Sequence, residues 1–234
     1  MCIRDRLELE PVGTNDVWEW HLWDHLIQDV DPDLPNYGVV SDHPELQDIN
    51  YGNAGSNGGP GGANGDWKHF NAVAYNEDLD QIALSSRFHD EIYIIDHSTT
   101  TEEAAGHTGG NSGMGGDFLY RWGNPHSYNR GSDLDRVLDD QHSVNWIPEG
   151  YPGEGNLILF NNNYGSNSAV FEIVTPINEE GTYSISPGQP YGPIEPIWIH
   201  TGPFHTQMQG GAFRLPNGNT LITDCNDATI FEVT

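Results

Sequence analysis

The sequence predicts an all-β protein built from repeated four-stranded units, and three observations predict it. Helical periodicity is scarce along the 234 residues. Short runs rich in β-branched and aromatic residues alternate with Gly, Asn, Asp and Pro turns. The runs also repeat a plan: a strand, a turn, and a second strand ending in polar residues. That plan reads in HFNAVAYNEDLDQIALSSR, HSVNWIPEGYPGEGNLILFNN and GGAFRLPNGNTLITD, and a third strand follows each, in EIYIID, AVFEIV and TIFEV. Units of this kind, at a period of tens of residues, mark the blades of a β-propeller, whereas a sandwich shows no such repeat.

The first set is expected to place strands at 70–75, 81–86, 91–96 and 118–122. The second is expected at 142–147, 156–160, 169–174 and 196–200. The third has expected strands at 211–215, 220–223 and 229–233. The fourth strands of the first two sets carry Trp, in LYRW and PIWIH, so VWEW near the start reads as the fourth strand of an earlier set. The stretch from Trp18 to Gln28 also reads as a short helix. Between it and the first full set, residues 52–65 (GNAGSNGGPGGANG) form a flexible insertion by composition. That insertion matches no phosphate-cradling pattern.

Eight Lys and Arg stand against 35 Asp and Glu, a formal charge of −27. Such a chain repels phosphate backbones and anionic membrane surfaces, so nucleic acid is not an expected partner. Aromatics at 11%, with seven Trp, separate it from acidic disordered chains. No run approaches the length of a membrane span. Two cysteines, Cys2 and Cys225, imply no disulfide framework. Residues 1–6, Met-Cys-Ile-Arg-Asp-Arg, match the translated end of a sequencing-library adaptor and are set aside. Residues 7–234 are then read as one partial propeller domain. Lacking caps at its outer sheets, it is expected to be an open, association-prone arc without turnover of its own.

His69, in DWKHFN, and His142, in DDQHSVNW, both stand where a first strand begins, the position that lines a propeller's channel. Arg87 ends the second strand of the same set, in LSSR. In so acidic a chain each base is a candidate anion ligand, because a sulfate needs donors in a fixed fork. Arg121 and Arg214 alternate with apolar neighbours and are expected to face solvent or pair locally. His205, in WIHTGPFHTQMQGG, leads into a first strand and is a further candidate. His21 and His25 have the spacing of a metal pair on a helix, but no third ligand is evident. The acid clusters 29–33 and 133–139 lack the EF-hand pattern. Neither metal nor cofactor is expected, and no serine or cysteine nucleophile motif is present.

VWEWHLWDHLIQD, DWKHFNAVAYNEDLDQIALSSR, EIYIIDHSTTTEEA, GDFLYRWGNP, QHSVNWI and RLPNGNTLI, in that order, resemble the arylsulfotransferase family over nearly the whole chain. The resemblance implies a six-bladed propeller exported to the periplasm or beyond, of which about three blades are present. It implies transfer of a sulfuryl group from a phenolic sulfate ester to a phenol through a sulfated histidine. Small aryl sulfates and phenols would then be its ligands. His69 matches the family histidine in DWxHxN, and His142 the histidine after Gln in the next set. His205 is the nearest candidate for the sulfated residue. Where the family has an arginine after the following strand, Asn161, Asn162 and Asn163 stand instead. The competing expectation is a related propeller without chemistry that binds a ligand or partner.

Overall fold

The computed structural model describes residues 17–52, 58–59, 62–63 and 66–234. The adaptor-like residues 1–6, and most of the Gly-rich insertion, lie outside the described residues. Strands β1 (Leu26–Ile27) and β2 (Gln47–Asp48) form a small parallel pair, and β3 (Gly58–Gly59) and β4 (Gly62–Ala63) a small antiparallel one.

Three antiparallel sheets make up the rest, each a meander in chain order. Sheet I contains β5 (Phe70–Asn76), β6 (Gln81–Ser86), β7 (Glu91–Asp96) and β8 (Phe118–Trp122). Sheet II contains β9 (His142–Trp146), β10 (Leu157–Tyr164), β11 (Asn167–Ile173) and β12 (Trp198–Thr201). Sheet III contains β13 (Gly211–Arg214), β14 (Thr220–Asp224) and β15 (Thr229–Val233). The only α-helix among the described residues is one turn, α1 (Thr101–Ala104), with a Thr100/Glu103 capping box.

The strand pleat explains how the sheets stack. Every residue of β6 and β7 is buried, so sheet I is covered on both faces. Ala83, Ile92 and Ile94 face sheet II and meet Leu157, Leu159, Ala169 and Phe171. On the other face, Ile82, Leu84, Tyr93 and Ile95 meet Trp18, Trp20 and Trp67. Sheet II repeats the device, with Ile158, Phe160 and Val170 packed against Ala212 and Ile222 of sheet III. Each fully buried side chain of this size contributes about 1.5–3 kcal/mol. The first strands of successive sheets run beside one another, β5 against β9 and β9 against β13. The protein is therefore all-β, with sheets stacked face to face. No closed ring of sheets forms among the described residues.

Two expectations for the start of the chain are corrected. The stretch from Trp18 to Gln28 is not an α-helix: a 3-10 turn (Leu22–Asp24) leads directly into β1. Nor do residues 18–20 form a strand. Trp18, Trp20 and Leu22 are buried while Trp23 is exposed. That period-two burial presses an extended segment onto sheet I. It is held there by Trp18 Nε1 donating to Thr99 Oγ1 at 3.1 Å and Trp20 Nε1 to the Gly116 carbonyl at 2.7 Å. Tertiary burial of indoles outweighs local helical preference here.

Candidate active site

His69 immediately precedes β5, and Arg87 immediately follows β6. The Phe70–Ser86 pairing sets them side by side, and the Arg87 amide donates to the His69 carbonyl at 3.1 Å. His142 opens β9, next to β5. Asn71 of β5 donates to the Gln141 carbonyl at 2.7 Å, joining sheets I and II at this level.

Asp66 orients His69. Its carboxylate accepts from the His69 amide at 3.1 Å and lies 2.5 Å from Nδ1. A carboxylate accepts, so Nδ1 carries the hydrogen and Nε2 is left with its lone pair. The imidazole is 28% exposed, enough to meet a ligand.

Arg87 donates through Nη2 to Asp140 at 2.7 Å, while its buried Nε has no partner among the described residues. An unsatisfied guanidinium N–H is costly unless something accepts from it. An anion brought beside Arg87 would supply that acceptor.

His142 is held more tightly. Asn162 Nδ2 donates to the carbonyls of Thr206 at 2.8 Å and Gln209 at 2.7 Å. Those two acceptors fix the amide orientation, so Asn162 Oδ1 faces His142 Nδ1 at 2.7 Å. The Gln209 amide donates to His142 Nε2 at 3.2 Å. His142 is thus a neutral imidazole protonated on Nδ1. Burial pushes its pKa down, and the nearby charge of Arg87 acts in the same direction.

The backbone around these groups is strained. His69, Asp140, Ser143 and Gln209 all take positive φ, at 48°, 58°, 61° and 70°. Left-handed non-glycine residues cost free energy and concentrate where geometry is being enforced.

His205 lies in the segment that carries Gln209, and its carbonyl accepts from Asn226. Its Nδ1 is buried without a partner among the described residues. Among the described residues, no hydrogen bond or ring contact joins its imidazole to His69, Arg87 or His142. The structure therefore brings together three of the four sequence-derived candidates.

The acids beside the site are taken up by arginines. Asp90 accepts from Arg136 at 2.6 Å and from the Asp140 amide at 2.8 Å. Burial raises the Asp90 pKa to about 6. Behind the site, Lys68 is buried and donates to Tyr93 Oη at 2.7 Å, which in turn donates to Glu91 at 2.8 Å. Arg121 does not face solvent. It is fully buried and grips Glu91 with two hydrogen bonds, at 2.9 and 2.7 Å. Arg214 pairs across sheets with Glu172, its guanidinium 5.3 Å from the centre of the Trp198 ring.

Sequence reading missed Asp66, Asp140, Asn162 and Gln209. The first two had a local signal, since Asp stands three residues before His69 and two before His142. Asn162 falls where the family has an arginine, and Gln209 had no signal.

Stacked antiparallel sheets set two imidazoles at the first strands of sheets I and II, and a guanidinium at the end of the second strand of sheet I, in a β-rich protein. The chain belongs to the arylsulfotransferase (ASST) family, whose family model matches residues 6–184. His69, Arg87 and His142 lie within the matched residues and His205 beyond them. No curated protein matched the chain in a search of such proteins.

Proposed function

We propose that His69, Arg87 and His142 form the sulfate-binding part of a sulfuryl-transfer site acting on phenolic sulfate esters. The single observation that carries this reading is the convergence of the three residues within an arylsulfotransferase-family chain. Arg87 takes the ester's sulfate oxygens through the N–H groups that Asp140 leaves free. The Nε2 lone pair of His69, oriented by Asp66, receives the acceptor phenol's proton. In the first half-reaction a histidine nitrogen attacks sulfur, the S–O bond to the donor phenol breaks, and phenolate leaves. In the second, the acceptor oxygen attacks the same sulfur, the S–N bond breaks, and His69 takes the phenolic proton. His205, with an unpartnered ring nitrogen, is our candidate for the sulfated residue.

In this reading sheets I–III are consecutive blades of a propeller that works outside the cytoplasm, in the periplasm or beyond. Because the three sheets would be only part of its ring, ligand binding is the primary test and turnover the secondary one. An aryl sulfate should bind at Arg87 and lose affinity in Arg87→Ala.

A second reading, a non-catalytic ligand-binding module, draws on two observations. Both ring nitrogens of His142 are engaged within the protein. Asn162 is likewise spent on holding His142 and the chain at Thr206 and Gln209. A sulfated histidine after exposure to donor separates the two readings.

A further inference from the structure

We propose that His25, His107 and Asp117 form a binding site for a divalent transition-metal ion of the zinc class. The site is separate from the sulfuryl-transfer reading and does not rest on it. Nδ1 of His25 and Nδ1 of His107 each lie 2.8 Å from Asp117 Oδ1. The three ligand atoms all lie within 4.8 Å of one another. Two imidazoles and a carboxylate are the donor set that zinc sites with an open position use.

The chemistry of His25 points the same way. Its Nε2 lies 2.9 Å from the Ala104 carbonyl, which can only accept, so Nε2 carries the hydrogen. Nδ1 is then the nitrogen aimed at a carboxylate oxygen, and the His107 nitrogen is aimed at that same atom. At His25 an acceptor thus faces an acceptor and needs a cation between them, either a proton or a metal ion, whereas His107 Nδ1 can donate its own hydrogen or, in its other tautomer, bind the same ion. A backbone carbonyl taking the far N–H is also the arrangement that fixes the ring of a metal-ligating histidine.

The site is rigid where rigidity matters. His25 is fully buried and stacks on Trp20, with ring centres 5.5 Å apart and planes 5° from parallel. A Cβ at Gly116 would come within 2.7 Å of His25 Nε2 and 2.1 Å of the Ala104 carbonyl, so only glycine lets this ring sit here. His107, in contrast, is 60% exposed and free to adjust. Zinc–ligand bonds of about 2.0–2.2 Å separate tetrahedral ligand atoms by roughly 3.4 Å. Both nitrogen–Asp117 separations therefore have to open by only about half an ångström, which a small rotation of the Asp117 carboxylate together with a movement of His107 supplies. His107 also lines a pocket with Trp23, Leu34, Tyr37 and His43, which gives an ion an access path. The helix-spaced partner expected for His25, His21, lies instead 3.6 Å from Glu19.

The test is a Co(II) titration of the full chain followed by visible absorption, with Zn(II) as competitor and excess Ca(II) present to saturate the acidic surface. The expected result is one ion per chain, an intense low-coordinate Co(II) spectrum, and stoichiometric displacement by Zn(II). His107→Ala, at an exposed position, should keep the wild-type far-UV spectrum and weaken binding at least tenfold. No saturable spectrum, or affinity unchanged in both His107→Ala and Asp117→Asn, would overturn the proposal.

Discussion

The backbone amide of Gln209 donates to Nε2 of His142 at 3.2 Å, across 67 residues of sequence. This bond ties the chain between sheets II and III to the first strand of sheet II, and it exists only while His142 is neutral. Burial holds the folded-state pKa of His142 below its ordinary 6.5, and that of the buried His89 well below it. The unfolded chain therefore takes up these protons first as pH falls. The stability the neutral rings provide is intact above about pH 6.5 and declines as pH drops below it. Nitrogen-15 spectra at pH 7 should show His142 protonated on Nδ1 alone. Gln209 amide exchange corrected for its intrinsic pH dependence should accelerate on acidification, and a flat profile would remove the assignment.

Asp90 acts in the opposite sense. With burial raising its folded pKa to about 6, the folded protein holds a proton that the unfolded chain loses near pH 4. Its contribution to stability is full below about pH 4 and is lost as pH rises through about 6. Asp90→Asn should thus compare more favourably with the wild type at pH 8 than at pH 4.5 in thermal melts. An equal difference at the two pH values would contradict the shift.

Asn162→Ala removes one of the two acceptors for His142 Nδ1, leaving the Asp140 carbonyl at 3.0 Å, and both donors to the carbonyls of Thr206 and Gln209. We expect a loss of about 1–3 kcal/mol in urea unfolding.

Glu91→Gln should cost more, about 3–5 kcal/mol, because it leaves the fully buried Arg121 guanidinium without its counter-charge. Replacing both partners with apolar residues of similar volume should cost much less than Glu91→Gln alone. A double-mutant cycle reads the difference.

The strands were legible where apolar runs had sharp polar ends. Strands β6, β7, β8 and β15 fall on the residues the pattern indicates. Strand β10 runs on to Tyr164, beyond the expected Phe160, because Asn161 keeps its pairing with Ala169 although it is polar. The tryptophan-rich start misled because indoles at alternate positions can serve either a helix or an extended segment, and only the opposing face of sheet I decides. His69 and Arg87 could be placed by their position at strand ends. The groups that set their chemistry sit in turns or arrive from distant sequence, as Gln209 does, and hydrophobic periodicity says nothing about such groups.

The central claim is that Arg87 and the two imidazoles form one binding site for an aryl sulfate. Its most direct test is a titration of the chain with 4-nitrophenyl sulfate, following the imidazole resonances of His69 and His142. Saturable, concerted shifts of both rings are expected, with affinity weakened at least tenfold in Arg87→Ala while the melting curve is retained. Shifts confined to one ring, or affinity unchanged in Arg87→Ala, would contradict it.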